Sequence, residues 1–173
     1  FPRALFVAAP NALEPARSVC GWDPKAQIRA AAHIRGAIPF IKLAKDAGLD
    51  TVVFADFSYL AEATVEFHEA KHKGSANGFK VWNGVKSDAI EFRDEARYAG
   101  IHVILNTWLQ GPKLKDGIVL RGGPLLPMKL PEAIPALCDI VLQAGNNPMR
   151  KPWGGIYKCY LDAQWVMKDR FNV

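Results

Sequence analysis

Four places in the chain gather side chains able to hold a cation or a phosphate. The first is Asp56 with Ser58, just after Thr51-Val52-Val53-Phe54-Ala55, an uncharged run rich in β-branched and bulky residues. Bounded in front by the turn Ala47-Gly48-Leu49-Asp50, such a run reads as a strand buried on both faces. Open α/β sheets bind ligands outside the carboxyl ends of their strands, so a carboxylate there can hold a metal ion directly or through water. The same Asp56 can instead cap the helix that follows, since Asp and Ser are preferred at that position. The second place is Asn106 with Thr107, at the end of Ile101-His102-Val103-Ile104-Leu105, which reads as a second buried strand. The third is Lys168 with Arg170, two apart on a candidate last strand and therefore on one face. Two cations on one face can contact a phosphate, with Arg supplying a bidentate fork; on an edge strand the same charges simply oppose aggregation. The fourth is the i, i+4 pair His68 and His72, which lacks the adjoining Glu of a zinc-binding helix and reads as a solvated helix end.

Other chemistries lack their residues. No G-x-x-x-x-G-K-[ST] loop occurs in the chain, and neither does G-x-G-x-x-G or G-x-S-x-G. The three cysteines, Cys20, Cys138 and Cys159, have no C-x-x-C or His spacing and read as buried thiols.

The 173 residues, half of them apolar, suffice for one domain with a sizeable core. No run approaches the 18 or so apolar residues of a membrane span, which predicts a soluble protein without membrane contact. A net charge of +5 and a pI near 9.2 permit contact with nucleic acid or nucleotide phosphates without requiring it. The chain opens on Phe1-Pro2-Arg3 without an initiator Met, which implies a longer or a processed natural protein.

These groups need elements to position them. Arg3 to Ala8 reads as a first strand broken by Pro10, and Asn11 to Pro24 as a loop. Apolar residues recur at helical spacing from Lys25 to Ala47, interrupted by Gly36 and Pro39, which predicts a kinked helix or two short ones. Tyr59 to Lys71 and Phe79 to Tyr98 read as amphipathic helices on either side of the polar loop Lys71 to Gly78, the second ended by Gly100. Alternating strands and helices predict a mainly parallel sheet with helices on both faces. Farther on, Ile118 to Arg121 and Asp139 to Gln143 read as strands, and Leu130 to Leu137 as a short helix with Pro131 at its first position. Ile156 to Leu161 and Gln164 to Phe171 read as a C-terminal antiparallel hairpin.

Taken in order, these pieces resemble the RecA-like P-loop ATPase domain of phage type, the branch that includes single-strand annealing and recombination proteins. Val52 to Ser58 looks like its Walker B strand, and Ile101 to Thr107 like the next strand, whose polar end senses the γ-phosphate. Gly122-Gly123-Pro124-Leu125-Leu126-Pro127 and Cys138-Asp139-Ile140-Val141-Leu142 resemble its G-P-x-x-P and D-x-V elements. Trp165 to Arg170 resembles its closing K-x-R strand, which in RecA-like rings reaches the nucleotide of a neighbouring subunit.

The resemblance implies a single RecA-like α/β domain over residues 1–173 that lacks its N-terminal P-loop segment. It implies ATP and Mg²⁺ as cofactors, with Asp56 and Ser58 on the nucleotide, Asp56 on the metal, and Asn106, Thr107, Lys168 and Arg170 in catalysis. It further implies a homo-oligomeric ring or filament or a phage assembly, DNA as a partner, and a place in the host cytoplasm or the virion. The first strand departs from the family pattern, running into Ala8-Ala9-Pro10-Asn11 with Glu14 as the nearest acid. Without a phosphate nest and its Lys, Asp56 alone would not hold Mg·ATP tightly. The rival expectation is therefore a catalytically inactive phage structural or DNA-binding protein on the same fold. A small-molecule enzyme on a flavodoxin-like sheet is the third.

Overall fold

The computed structural model describes residues 3–10, 27–73, 78–110, 113–115, 118–120, 123–138, 140–141, 143–146, 155–158 and 168–169. The chain divides into two compact units, Phe1–Trp108 with Leu126–Met128, and Leu109–Leu125 with Lys129–Val173.

The first unit is built on a parallel sheet of β1 (Ala4–Ala8), β2 (Ile28–Ala30), β3 (Thr51–Phe54) and β4 (His102–Leu105), in the order β2-β1-β3-β4. It is flanked by helices α1 (Ile34–Asp46), α2 (Phe57–Lys71) and α3 (Gly78–Tyr98). All four residues of β3 are buried, as an apolar run between two parallel neighbours requires. Phe54 and Phe57 both meet Phe92 of α3, with ring centroids 5.0 and 5.2 Å apart, so the end of β3, the start of α2 and the middle of α3 share one core.

β4 departs from the expectation of a second buried strand. His102 and Ile104 are exposed and Val103 and Leu105 only half-buried, because β4 is the sheet's edge among the described residues. Its apolar run specifies an extended chain but not what covers it.

The stretch expected to be a kinked helix from Lys25 is split. Ile28 to Ala30 joins the sheet beside β1, and α1 begins only at Ile34. His33 has extended backbone and caps α1, its Nδ1 accepting from the Gly36 N–H at 3.1 Å. A second end group is satisfied from α2, where the buried Thr64 hydroxyl accepts from the Ile34 N–H (2.9 Å) and donates to the Leu60 carbonyl (2.6 Å). Thr64→Val keeps the shape and leaves the Ile34 N–H unpaired in the core, so urea unfolding should show a loss of about 1–3 kcal/mol. An unchanged midpoint would mean that water satisfies that N–H.

α1 closes with Gly48 in the left-handed region (φ +68°). There Gly48 N–H donates to the Lys45 carbonyl and Leu49 N–H to the Ala44 carbonyl, the paired bonds of a Schellman end. Asp50 N–H then donates to the Arg3 carbonyl while the Arg3 side chain pairs with Asp50 at 3.1 Å, bringing the start of β3 alongside β1. Gly100, also at positive φ (+70°), ends the α3 region as expected.

The second unit is made of short antiparallel pairs and one helix. β5 (Leu109–Gln110) pairs with β8 (Gly123–Pro124), and β6 (Lys113–Lys115) with β7 (Ile118–Leu120). Helix α4 (Leu130–Leu137) carries Pro131 in its first turn, where a missing N–H costs nothing. The expected hairpin between Ile156–Leu161 and Gln164–Phe171 is replaced by other pairings. β11 (Gly155–Lys158) pairs with β10 (Gln143–Asn146), and β12 (Lys168–Asp169) with β9 (Ile140–Val141). Alternation marks a segment as extended and leaves its partner open, which is why the pairing was not readable.

Candidate functional site

The sheet gathers four of the expected residues at one end. Asp56 and Ser58 follow β3, and Asn106 and Thr107 follow β4, with Phe54 and Leu105 in register one step earlier. Backbone bonds fix the group. Asn106 N–H donates to the Phe54 carbonyl at 2.9 Å, and Phe57 N–H returns to the Asn106 carbonyl at 2.8 Å. Ala55 N–H donates to the Val7 carbonyl, which brings the end of β1 to the same rim. β2 lies on one side of β1 and β3 on the other, so the strand order switches direction here; ligands of open α/β sheets bind at such a point.

Both readings of Asp56 draw on the same carboxyl. Oδ1 accepts from the Tyr59 N–H at 3.1 Å, so Asp56 does cap α2. Oδ2 has no partner among the described residues, which leaves one oxygen facing the strand ends' polar groups. Ser58 is buried and its hydroxyl accepts from the Trp108 N–H at 2.9 Å, so it ties down the segment after β4 rather than standing open to a ligand. Asn106 is exposed and Thr107 half-buried.

Magnesium keeps several waters and commonly takes one or two carboxylates together with substrate phosphates. One free carboxylate oxygen beside an amide and a hydroxyl fits that pattern. Among the described residues no group of three His, Cys, Asp or Glu is placed to hold a metal by itself. When bound with a nucleotide, the ion would neutralise phosphate charge; Asp56 would orient its water shell.

The remaining expected residues are not joined to this group. Lys168 begins β12 in the second unit, where its backbone pairs with Val141. Arg170, Glu14 and Cys20 lie outside the described residues.

His68 corrects the expectation of a solvated helix end. It is buried, and its Nε2 lies 2.8 Å from Oδ2 of the equally buried Asp88 on α3. His72 stacks on it, with ring centroids 6.3 Å apart. Asp88 was legible as an anomaly: it sits on the apolar stripe Val85, Ala89 and Phe92, where a carboxylate demands a partner. Gly84 lets α3 approach the His68 ring so closely that any Cβ there would overlap it. Gly84→Ala should therefore lower stability by about 1–3 kcal/mol despite the better helix propensity of Ala, as overpacking does. A rise in the melting temperature would show that the ring can move aside.

No family model, curated protein or solved structure matches the chain.

Proposed function

We infer that the chain is a RecA-like nucleotide-binding domain of phage type, binding Mg·ATP at the carboxyl ends of β3 and β4 and serving DNA recombination or remodelling. The observation that carries this reading is the meeting of Asp56 with Asn106 and Thr107 on adjacent parallel strands at the switch point of the sheet. In this reading Asp56 holds Mg²⁺ through water, and Asn106 or Thr107 senses the γ-phosphate. Lys168 and Arg170 act on the nucleotide of a neighbouring subunit.

The 173 residues contain no P-loop, so the reading requires a phosphate cradle from outside them. The open edge of β4 supports it. A further parallel strand pairing there would carry its own carboxyl-end loop to a place beside Asn106.

The strand order favours a second reading as well. β2-β1-β3-β4 is also the start of a flavodoxin-like sheet, whose ligand sits between β1 and β3. Equilibrium binding by the protein encoded in the whole reading frame separates the two. Binding of a fluorescent ATP analogue that needs Mg²⁺ is expected. Flavin mononucleotide binding instead would favour the flavodoxin-like enzyme. Failure of both would overturn the nucleotide reading in favour of a non-enzymatic structural or DNA-binding role.

A further inference from the structure

Away from the strand ends, α1, α2 and α3 enclose an open cavity of about 390 Å³. Its wall carries Arg35 from α1, Lys71 and His72 from the end of α2, and Lys80, Asn83 and Ser87 from the first turns of α3. Beneath them lie His68 and Asp88, their side chains only 4% and 2% exposed. Three permanent cations from three different helices thus converge on a space containing one carboxylate.

That carboxylate is already engaged. Asp88 Oδ2 is 2.8 Å from His68 Nε2, and Oδ1 faces Arg35 at 3.9 Å, beyond direct hydrogen-bond range. Most of the Arg35 fork therefore remains available, and its side chain is 57% exposed. Lys71 and Lys80 make no ion pair among the described residues and are exposed. The wall holds surplus positive charge together with an amide and a hydroxyl.

Bringing three cations around one cavity without matching anions is unfavourable unless a ligand supplies them. Guanidinium, ammonium, amide N–H and hydroxyl donors on converging walls match the oxygens of a phosphate. No Phe, Tyr or Trp lines the cavity, so it offers no platform for stacking a base. The recognised group is the phosphate and not the base.

We propose that this cavity is a phosphate-binding site, separate from the strand ends, that takes a phosphate of a nucleic-acid strand or of a small phosphorylated molecule. Arg35, Lys71 and Lys80 bind the oxygens. His68 and Asp88 are positioning residues that join α2 to α3 and fix the cavity floor. The site stands whether or not ATP binds at Asp56.

The test compares two triple variants with equal loss of charge. One is Arg35→Gln, Lys71→Gln and Lys80→Gln in the cavity. The control is Lys42→Gln, Lys45→Gln and Arg97→Gln, all exposed and outside it. The probes are a fluorescein-labelled 20-mer of deoxythymidine, followed by anisotropy across a salt series, and inorganic phosphate, followed by calorimetry. Melting temperatures establish that both variants fold.

If the source is a strand, the cavity variant lowers the slope of log K against log salt by about 3, one per lost phosphate contact, while the control changes it far less. If the source is a small molecule, inorganic phosphate binds and the cavity variant weakens it about tenfold or more, while the oligonucleotide shows no difference between the triples. Equal weakening by both triples, or no binding of either probe, overturns the site.

Discussion

Asp56→Asn should leave the melting temperature unchanged and reduce Mg²⁺-dependent ATP turnover by the whole-frame protein about 10–100-fold. The expectation rests on the division of labour within one carboxyl group. Oδ1 caps α2 through the Tyr59 N–H, and Asn caps as well as Asp, so the helix start survives the exchange. The charge that would hold the water shell of Mg²⁺ does not survive, and losing an outer-shell partner of a metal typically costs that factor. Asp56→Ala removes both functions and should additionally lose about 1 kcal/mol of stability. The pair separates a structural cap from a metal-binding residue, which neither variant does alone. Full turnover in Asp56→Asn would reduce Asp56 to a cap.

The largest effect on stability is expected at the residue beside it. Phe57 is fully buried, touches the Phe92 ring, and its N–H bonds the Asn106 carbonyl at 2.8 Å. It therefore anchors the start of α2 in the core and holds the end of β4 in place. Phe57→Ala opens a cavity among Phe54, Phe92 and their neighbours, and urea unfolding should show a loss of about 3–5 kcal/mol. Tyr98→Ala, on the exposed end of the neighbouring α3, should stay within about 0.5 kcal/mol. A loss below about 1 kcal/mol at Phe57 would mean that the core closes over the gap, since partial collapse is what lowers such costs. Because the backbone bond of residue 57 persists in the variant, the strand-end residues should keep their places in the fraction that folds.

Several elements were legible before any coordinates. Thr51 to Phe54 is an apolar run between turn signals, and it is the strand buried from both sides. Asp56 was recognisable as cap or ligand from its place after that run, and the structure leaves one oxygen for each use. Gly48 and Gly100 stand where helices end, and both adopt the positive φ that glycine tolerates. The closing strands were legible only as extended chain.

The rest depends on partners that one-dimensional pattern does not name. The run of β4 has the composition of a buried strand, yet Ile104 is 40% exposed because the sheet stops there among the described residues. His68 and His72 have the spacing of a surface pair, yet only packing of α2 on α3 decides that His68 turns inward to Asp88, 20 residues away. Arg35, Lys71 and Lys80 belong to three separate helices, and nothing in their spacing announces a common cavity.

The sequence by itself determined where helices and strands begin and end around β3, because those limits arise from local forces: apolar runs, capping side chains and glycine's freedom at positive φ. Which side of a strand is covered, which histidine is buried and which cations face one another were decided only by tertiary structure. Those outcomes depend on desolvation and charge between residues distant along the chain, and such energies exist only once the elements pack.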